Sequence, residues 1–362
     1  MSVATETASE RLTFTPQELL DSGSYEAPLI AGGVRCHGGF EQDGRYRSPR
    51  MRHRGPAIAA WQARLEREGQ RLVEIPKALM PPQYPNIAQA KLLLRHGVRD
   101  PIVRALTIIS IVEGFGAIIR DVKVPDLGEW VVEPVDGTAL AHLDQGLFEA
   151  HARDESGYRD EGGHKQMWEA ARDVALENPR IPGDVLMRMM GGGGGRARSK
   201  AERPFPQLDP TLERMLQMMA RVCVVEVFAE GTFDWGEQVL SDPEVSAAPE
   251  AAGGMVRHIR SDEKPHVEYL RTALSEVRAR TLRTVDGDAL PGRTVVDGLL
   301  HGMLHEMTRS RPRDQREDIR GGLAEAMQSA ANPKALLEEF DALESVWTPP
   351  ARTGFEPATD AA

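Results

Sequence analysis

Hydrophobic and polar positions along the chain mark out four long helical stretches. From Asp100-Pro101 the run PIVRALTIISIVEGFGAIIRDV is apolar nearly all round, and its proline falls in the first turn, where a missing N–H costs little. The pattern predicts a core helix of about six turns. After the loop KVPDLGEWVVEPVDG, a more polar segment from Thr138 to Asn178 keeps helical spacing but breaks near Ser156-Gly157 and Gly162-Gly163, which predicts two consecutive helices. Asp209-Pro210 opens TLERMLQMMARVCVVEVFAEGTFDWGEQVL, and MVRHIRSDEKPHVEYLRTALSEVRART follows the turn-rich SDPEVSAAPEAAGG. Further helical spacing in TVVDGLLHGMLHEM and GGLAEAMQSAANPKALLEEFDALE, with strand signals scarce, gives an all-α class.

Boundaries follow from the same pattern. Residues 1–84 are rich in Gly, Pro and Arg, and only AIAAWQARLEREGQRL reads as a helix, so they are expected to form an N-terminal extension. A helical bundle is expected over 85–285, interrupted by a linker at 190–208. The linker's GGGGG run lacks the Gly-Lys-Ser/Thr ending of a phosphate-binding loop and reads as a mobile connection. Residues 286–345 are expected to add a C-terminal helical extension, and the Pro-, Thr- and Ala-rich 346–362 a disordered tail.

Charge narrows the partners. Asp and Glu outnumber Lys and Arg by 55 to 44, a net charge of −11, which argues against a protein built to bind nucleic acid. The basic run Arg45 to Arg54 contains one aromatic, Tyr46, and reads as solvated or internally paired. Cys36 and Cys223 are too far apart for a redox motif and fit a reducing cytoplasm. The N-terminus does not read as a signal peptide, and no uninterrupted apolar run reaches ~18 residues, so no membrane span is expected.

One short phrase occurs twice: Asp160-Glu161-Gly162-Gly163-His164 and Asp262-Glu263-Lys264-Pro265-His266. On a helix, residues three apart share a face, so each Glu and His can hold one metal together. Upstream of each copy an otherwise apolar helix carries a glutamate before a glycine, Glu113 and Glu230. A carboxylate on an apolar face is costly unless paired, protonated or metal-bound, and two divalent cations would balance four of them. The order Glu, Glu-x-x-His, Glu, Glu-x-x-His over residues 100–285 resembles the ferritin-like di-iron carboxylate family.

That resemblance implies a ferritin-like four-helix bundle with additional N- and C-terminal helices. It also implies one iron held by Glu113, Glu161 and His164 and another by Glu230, Glu263 and His266, with Glu161 and Glu263 bridging. Asp160 and Asp262 would then support the ligands, since a ligating imidazole usually donates its other N–H to a carboxylate. A manganese–iron pair fits the same set.

Several positions leave alternatives. Glu226 shares a face with Glu230; the 33 residues from Glu230 to Glu263 favour Glu230 as the ligand, with Glu226 close by. The 48 residues from Glu113 to Glu161 exceed a plain hairpin, and the inserted helix carries its own possible ligands in His142, Glu149, His151 and Glu155. His258 is a possible additional ligand, while His301 and His305 lack a third partner and read as a solvated face. Cys223 reads as a buried hydrophobe, and Tyr158, Tyr269 and Trp235 as core packing near the motifs.

The expected function is therefore O₂ activation by a non-haem di-iron oxidase or oxygenase acting on a small organic substrate, lipid-like or amine-containing, with an electron donor. No individual catalytic residue is assigned, and a homodimer is compatible. A ferroxidase is one alternative. Another is a non-catalytic helical scaffold whose repeated motifs are solvent-facing charges.

Overall fold

The computed structural model describes residues 11–183, 203–310 and 312–356, and the described chain is mostly helical. Its longer helices are α1 (Met51–Arg67), α2 (Ile87–Arg95), α3 (Asp100–Gly116), α4 (Phe148–Ser156), α5 (His164–Ala175), α6 (Pro210–Leu240), α7 (Pro249–Arg278), α8 (Gly292–His305), α9 (Pro312–Ala326) and α10 (Pro333–Ala342). The Gly-rich stretch of the expected linker lies outside the described residues.

The antiparallel pair α6 and α7 forms the axis of the molecule. At the start of α6 the Asp209 carboxylate accepts from the N–H groups of Thr211 and Leu212 at 2.8 and 2.9 Å, and Pro210 fills the first helical position. Helix α7 runs unbroken through Pro265. Against this pair pack α5 and α8, while α3 packs on α4 and α5.

Two hydrophobic clusters lie at opposite ends of the α6–α7 pair. One joins Met215 and Met219 of α6 to Leu270 and Leu274 of α7, and the other joins Phe233 and Trp235 to Val256 and Ile259. The ionisable residues described below lie between them, most of them buried.

Residues 11–84 are not an appendage. Strands β1 (Ala27–Ala31), β2 (Val34–Phe40) and β3 (Tyr46–Arg47) form an antiparallel sheet, and β2 also hydrogen-bonds the turn after α4. Helix α1 packs on α7 through a face that buries Trp61 and Arg54. A second small sheet pairs β4 (Thr281–Arg283) with β5 (Ala289–Pro291), so strand is a minor component of the mostly helical chain. Part of the expected tail is also packed: Phe355 is buried, and buried Thr353 meets His301 Nδ1 at 3.0 Å.

Among the described residues, one helical stretch, Asp100–Asp121, is long and apolar enough to cross a membrane by length and composition. It tolerates a run of isoleucines because one face packs inward through Ile102, Leu106 and Ile109, while Ile108, Val112, Phe115 and Ile118 stay exposed.

Glu276 of α7 gives this fold a pH dependence independent of the ionisable cluster. Its carboxylate accepts from the N–H groups of Ala139 and Leu140 at 3.0 and 3.1 Å, tying the 139–142 turn to α7. Burial outweighs those bonds and pushes its carboxyl up to about 7. The folded state then holds the proton more tightly than the unfolded chain, so this contribution is full below about pH 4.5 and is lost as pH rises towards about 7. The shift corresponds to about 3 kcal/mol. Urea unfolding at about pH 5 and pH 8 should show a smaller loss of stability in Glu276→Gln than in wild type. Equal slopes would remove Glu276 as the cause.

Candidate metal centre

Helix α7 delivers the second Asp-Glu-x-x-His phrase intact. Asp262, Glu263 and His266 are buried, and His266 Nδ1 lies beside Glu263 one turn back. Helix α6 faces them with Glu226. Leu240 ends α6 fourteen residues after Glu226, and Pro249 opens α7 fourteen residues before Glu263, so the two carboxylates stand level on antiparallel helices. Glu230 is four residues out of that register, about 6 Å along the axis. It pairs at the half-exposed edge with Arg260, whose Nε reaches Oε2 at 3.1 Å.

The first phrase is not helical. Helix α4 ends at Ser156, and Gly157 adopts φ 82°, where a side chain would be strained and a Cβ would lie 2.4 Å from the Glu161 carbonyl oxygen. Tyr158 and Glu161 exchange backbone hydrogen bonds, and Gly162 joins β2 by donating to Arg35 O at 2.8 Å while accepting from His37 N at 2.9 Å. This turn directs Glu161 outward to Arg35 at 3.3 Å, with its side chain 36% exposed, and leaves Asp160 exposed. The expected Glu161 ligand and Asp160 support are therefore absent from the cluster. Helix resumes at His164, whose side chain is buried.

The position expected for Glu161 is taken by Glu155, at the end of α4, with His151 one turn earlier. Glu155 Oε1 lies 3.3 Å from His164 Nδ1, 3.2 Å from His266 Nδ1 and 3.7 Å from His151 Nε2. His151 Nε2 lies 3.3 Å from Glu226 Oε1. Glu113 reaches in from α3, with Oε2 3.6 Å from His164 Nδ1. The close approach of α3 needs Gly116, where a Cβ would meet Glu155 Cγ at 2.7 Å. Seven donors thus converge from α3, α4, the start of α5, α6 and α7.

Three sets of ligand atoms each fall within 4.8 Å of one another: His37, His164 and Asp262, and two four-residue sets, His151, Glu155, Glu226 and His266, and Glu155, His164, Glu263 and His266. Glu155 and His266 belong to both four-residue sets. Although His164 Nδ1 and Glu263 Oε1 are 2.7 Å apart, both remain without a hydrogen bond, as do His151 Nε2 and Glu155 Oε1. Buried polar atoms left unmatched at such range are costly, and a shared cation would satisfy them together. These buried His and Glu groups could therefore hold a metal ion through N and O donors.

Carboxylates stand behind two of the imidazoles in a crossed pattern. Asp154, beside Glu155, lies 2.9 Å from His266 Nε2, while Asp262, beside Glu263, lies 3.7 Å from His164 Nε2. Each Asp-Glu pair thus supplies one carboxylate to the cluster and turns the other towards the histidine of the opposite pair. Asp154 also pairs with the buried guanidinium groups of Arg50, through Nε at 2.6 Å, and Arg54, through Nη1 at 2.8 Å. Asp262 accepts from the Tyr46 hydroxyl at 2.8 Å and faces His37 Nε2 at 3.3 Å. His151 Nδ1 meets the Tyr269 hydroxyl at 3.2 Å, which leaves Nε2 turned to the centre.

Without cations the charges divide among the groups. Burial drives the Glu155 carboxyl well above its usual range, and burial with the nearby Glu226 charge does the same to Glu263. Despite its burial, Glu226 is brought down to about 2 by the His151 ring, whereas burial and then His151 bring His266 down to about 3. Burial opposes charge on His164, but Glu263 and Glu155 raise it well above the ordinary imidazole range. Binding divalent cations would displace the protons so retained.

Of the expected site residues, Glu113, His164, Glu263 and His266 meet in the cluster, with Asp262 behind it. Glu226, expected near the site, enters in place of Glu230. Of the alternatives on the inserted helix, His151 and Glu155 enter. Glu149 pairs with Arg153 at 2.6 Å, and His142 Nε2 accepts from Phe14 N at 3.0 Å. His258 packs between Phe40 and Tyr46. Solvent-facing charges, as a scaffold would present, occur at Asp160 and Glu161 but not at Asp262, Glu263, His164 or His266.

Asp154, Arg50, Arg54 and His37 are supporting residues that sequence reasoning missed. One signal was present for Asp154: the string ARDESGYRDEGGH contains two Asp-Glu pairs, and the first follows His151 at helical spacing. No family model, curated protein or solved structure matches the chain.

Proposed function

We infer that this chain is a ferritin-like di-iron carboxylate protein that uses O₂ to oxidise a small organic substrate. The observation that carries the reading is the convergence of seven donors, with Glu155, Glu263, His151 and His164 retaining unmatched buried atoms. In this assignment Glu113, His164 and Glu263 would serve one ion and His151, Glu226 and His266 the other, with Glu155 within reach of both. Two iron ions so held would supply O₂ reduction, for which mixed carboxylate and imidazole donors suit both ferrous and ferric states.

The chain's own residues position and insulate that chemistry. Asp154 orients His266 and Asp262 stands behind His164, with Arg50 and Arg54 fixing Asp154 and Tyr46 fixing Asp262. Hydrophobic clusters flank the centre on either side. The four-helix arrangement in this reading is α3, the α4–α5 pair, α6 and α7.

Protein loaded anaerobically with ferrous iron and then exposed to O₂ should consume O₂ and gain near-ultraviolet absorption as the iron becomes ferric. Glu263→Ala should show neither change. Wild-type protein that retains ferrous iron unchanged in air would overturn the assignment.

A further inference from the structure

A cavity of about 390 Å³ opens beside α6 and α7, and Glu226 and Glu263 form part of its lining. Its size is within the range of small-molecule sites. Ile75, Val227, Phe233 and Val267 give it apolar surface. The charges lining it are unequal in their engagement. Arg260 is held by Glu230 and Glu237, and Arg271 by Glu268 and the Val73 carbonyl oxygen. Lys77 and Lys264 are exposed and, among the described residues, have no ion-pair partner; Glu74 is the acid there in the same condition.

We propose that this cavity is a binding site for a small organic acid with an apolar body, its carboxylate held at the mouth by Lys264 and Lys77. The proposal rests on the metal reading for its oxidative purpose alone; beside the cavity Glu226 is engaged by His151 and Glu263 by His266. The unpaired lysines then outweigh Glu74 and favour an anion over a neutral or cationic headgroup. The apolar wall accepts the remainder of the molecule and directs it towards the ligand carboxylates. An amine of the same shape would meet the lysines and lose the contact that selects the acid.

Decanoate, decan-1-ol and decylamine serve as probes, titrated calorimetrically into the full chain in metal-free and zinc-loaded forms. Decanoate should bind at least about tenfold more tightly than either analogue. The Lys77→Ala/Lys264→Ala variant should lose about tenfold for decanoate while leaving decan-1-ol unchanged, and Val267→Trp, which fills the cavity, should weaken all three. Circular dichroism checks that each variant is folded.

Equal affinities for the three probes, or decanoate binding indifferent to both variants, would overturn the pocket. Metal content is measured on the same samples. Failure to load metal with decanoate selectivity intact supports the pocket and overturns the metal centre, whereas full loading without selectivity does the reverse.

Discussion

Replacing Glu155 with alanine should lower bound iron from about two ions per chain to less than about half an ion, while Glu161→Ala leaves the content unchanged. Glu155 belongs to both four-residue sets of converging ligand atoms, so its loss should weaken both positions at once. Glu161 sits in a turn against Arg35, 36% exposed, where a substitution is expected to change stability by less than about 0.5 kcal/mol. The measurement is metal analysis after anaerobic iron loading and desalting, with circular dichroism to confirm that both variants fold. Loss of iron from Glu161→Ala with retention in Glu155→Ala would reverse the assignment of the first half of the site.

This contrast shows how a local phrase can match while the chain geometry does not. Asp160-Glu161-Gly162-Gly163-His164 has metal-ligand spacing on paper, but the spacing has that meaning only on a helix, and Gly157 turns the chain out of one. His164 still reaches the centre because α5 starts at that residue. Its carboxylate partner is nine residues earlier, a separation that no helical template suggests. The second phrase keeps its meaning because α7 is continuous through it.

Register explains the exchange of Glu230 for Glu226. The span between α6 and α7 was legible, but the positions where the helices end were not, and a four-residue error moves a side chain about 6 Å along the axis. The mostly helical class was legible from the periodicity. The integration of residues 11–84 was not, because Arg50, Arg54 and His37 become core residues only through partners a hundred or more positions away. Composition reads such arginines as solvated or internally paired, and names no partner for them. Their burial is evident only once Asp154 is placed between them.

That placement makes Asp154 the supporting residue with the largest expected effect on stability. Its carboxylate is fully buried and serves Arg50, Arg54 and the His266 ring together. Asp154→Ala would leave two guanidinium groups uncompensated in the core and His266 Nε2 without its acceptor. Breaking a buried pair from one side costs about 3–5 kcal/mol, because the stranded charge stays desolvated. Urea unfolding of the metal-free variant should show a loss of that order, against less than about 0.5 kcal/mol for Asp160→Ala on the exposed turn.

Acid should reveal the same interaction. Against its burial, Arg50 and Arg54 hold the Asp154 carboxyl well below the usual range, so its stabilisation is full above about pH 4 and is lost as pH falls through the folded value. His266, held down to about 3 by burial and then His151, adds a loss that begins below about pH 6.5, where the unfolded imidazole takes up a proton first. The variant loses the Asp154 part of this acid dependence. A metal-free Asp154→Ala protein within about 1 kcal/mol of wild type at neutral pH, with an unchanged acid limb, would show that the two arginines are satisfied without it.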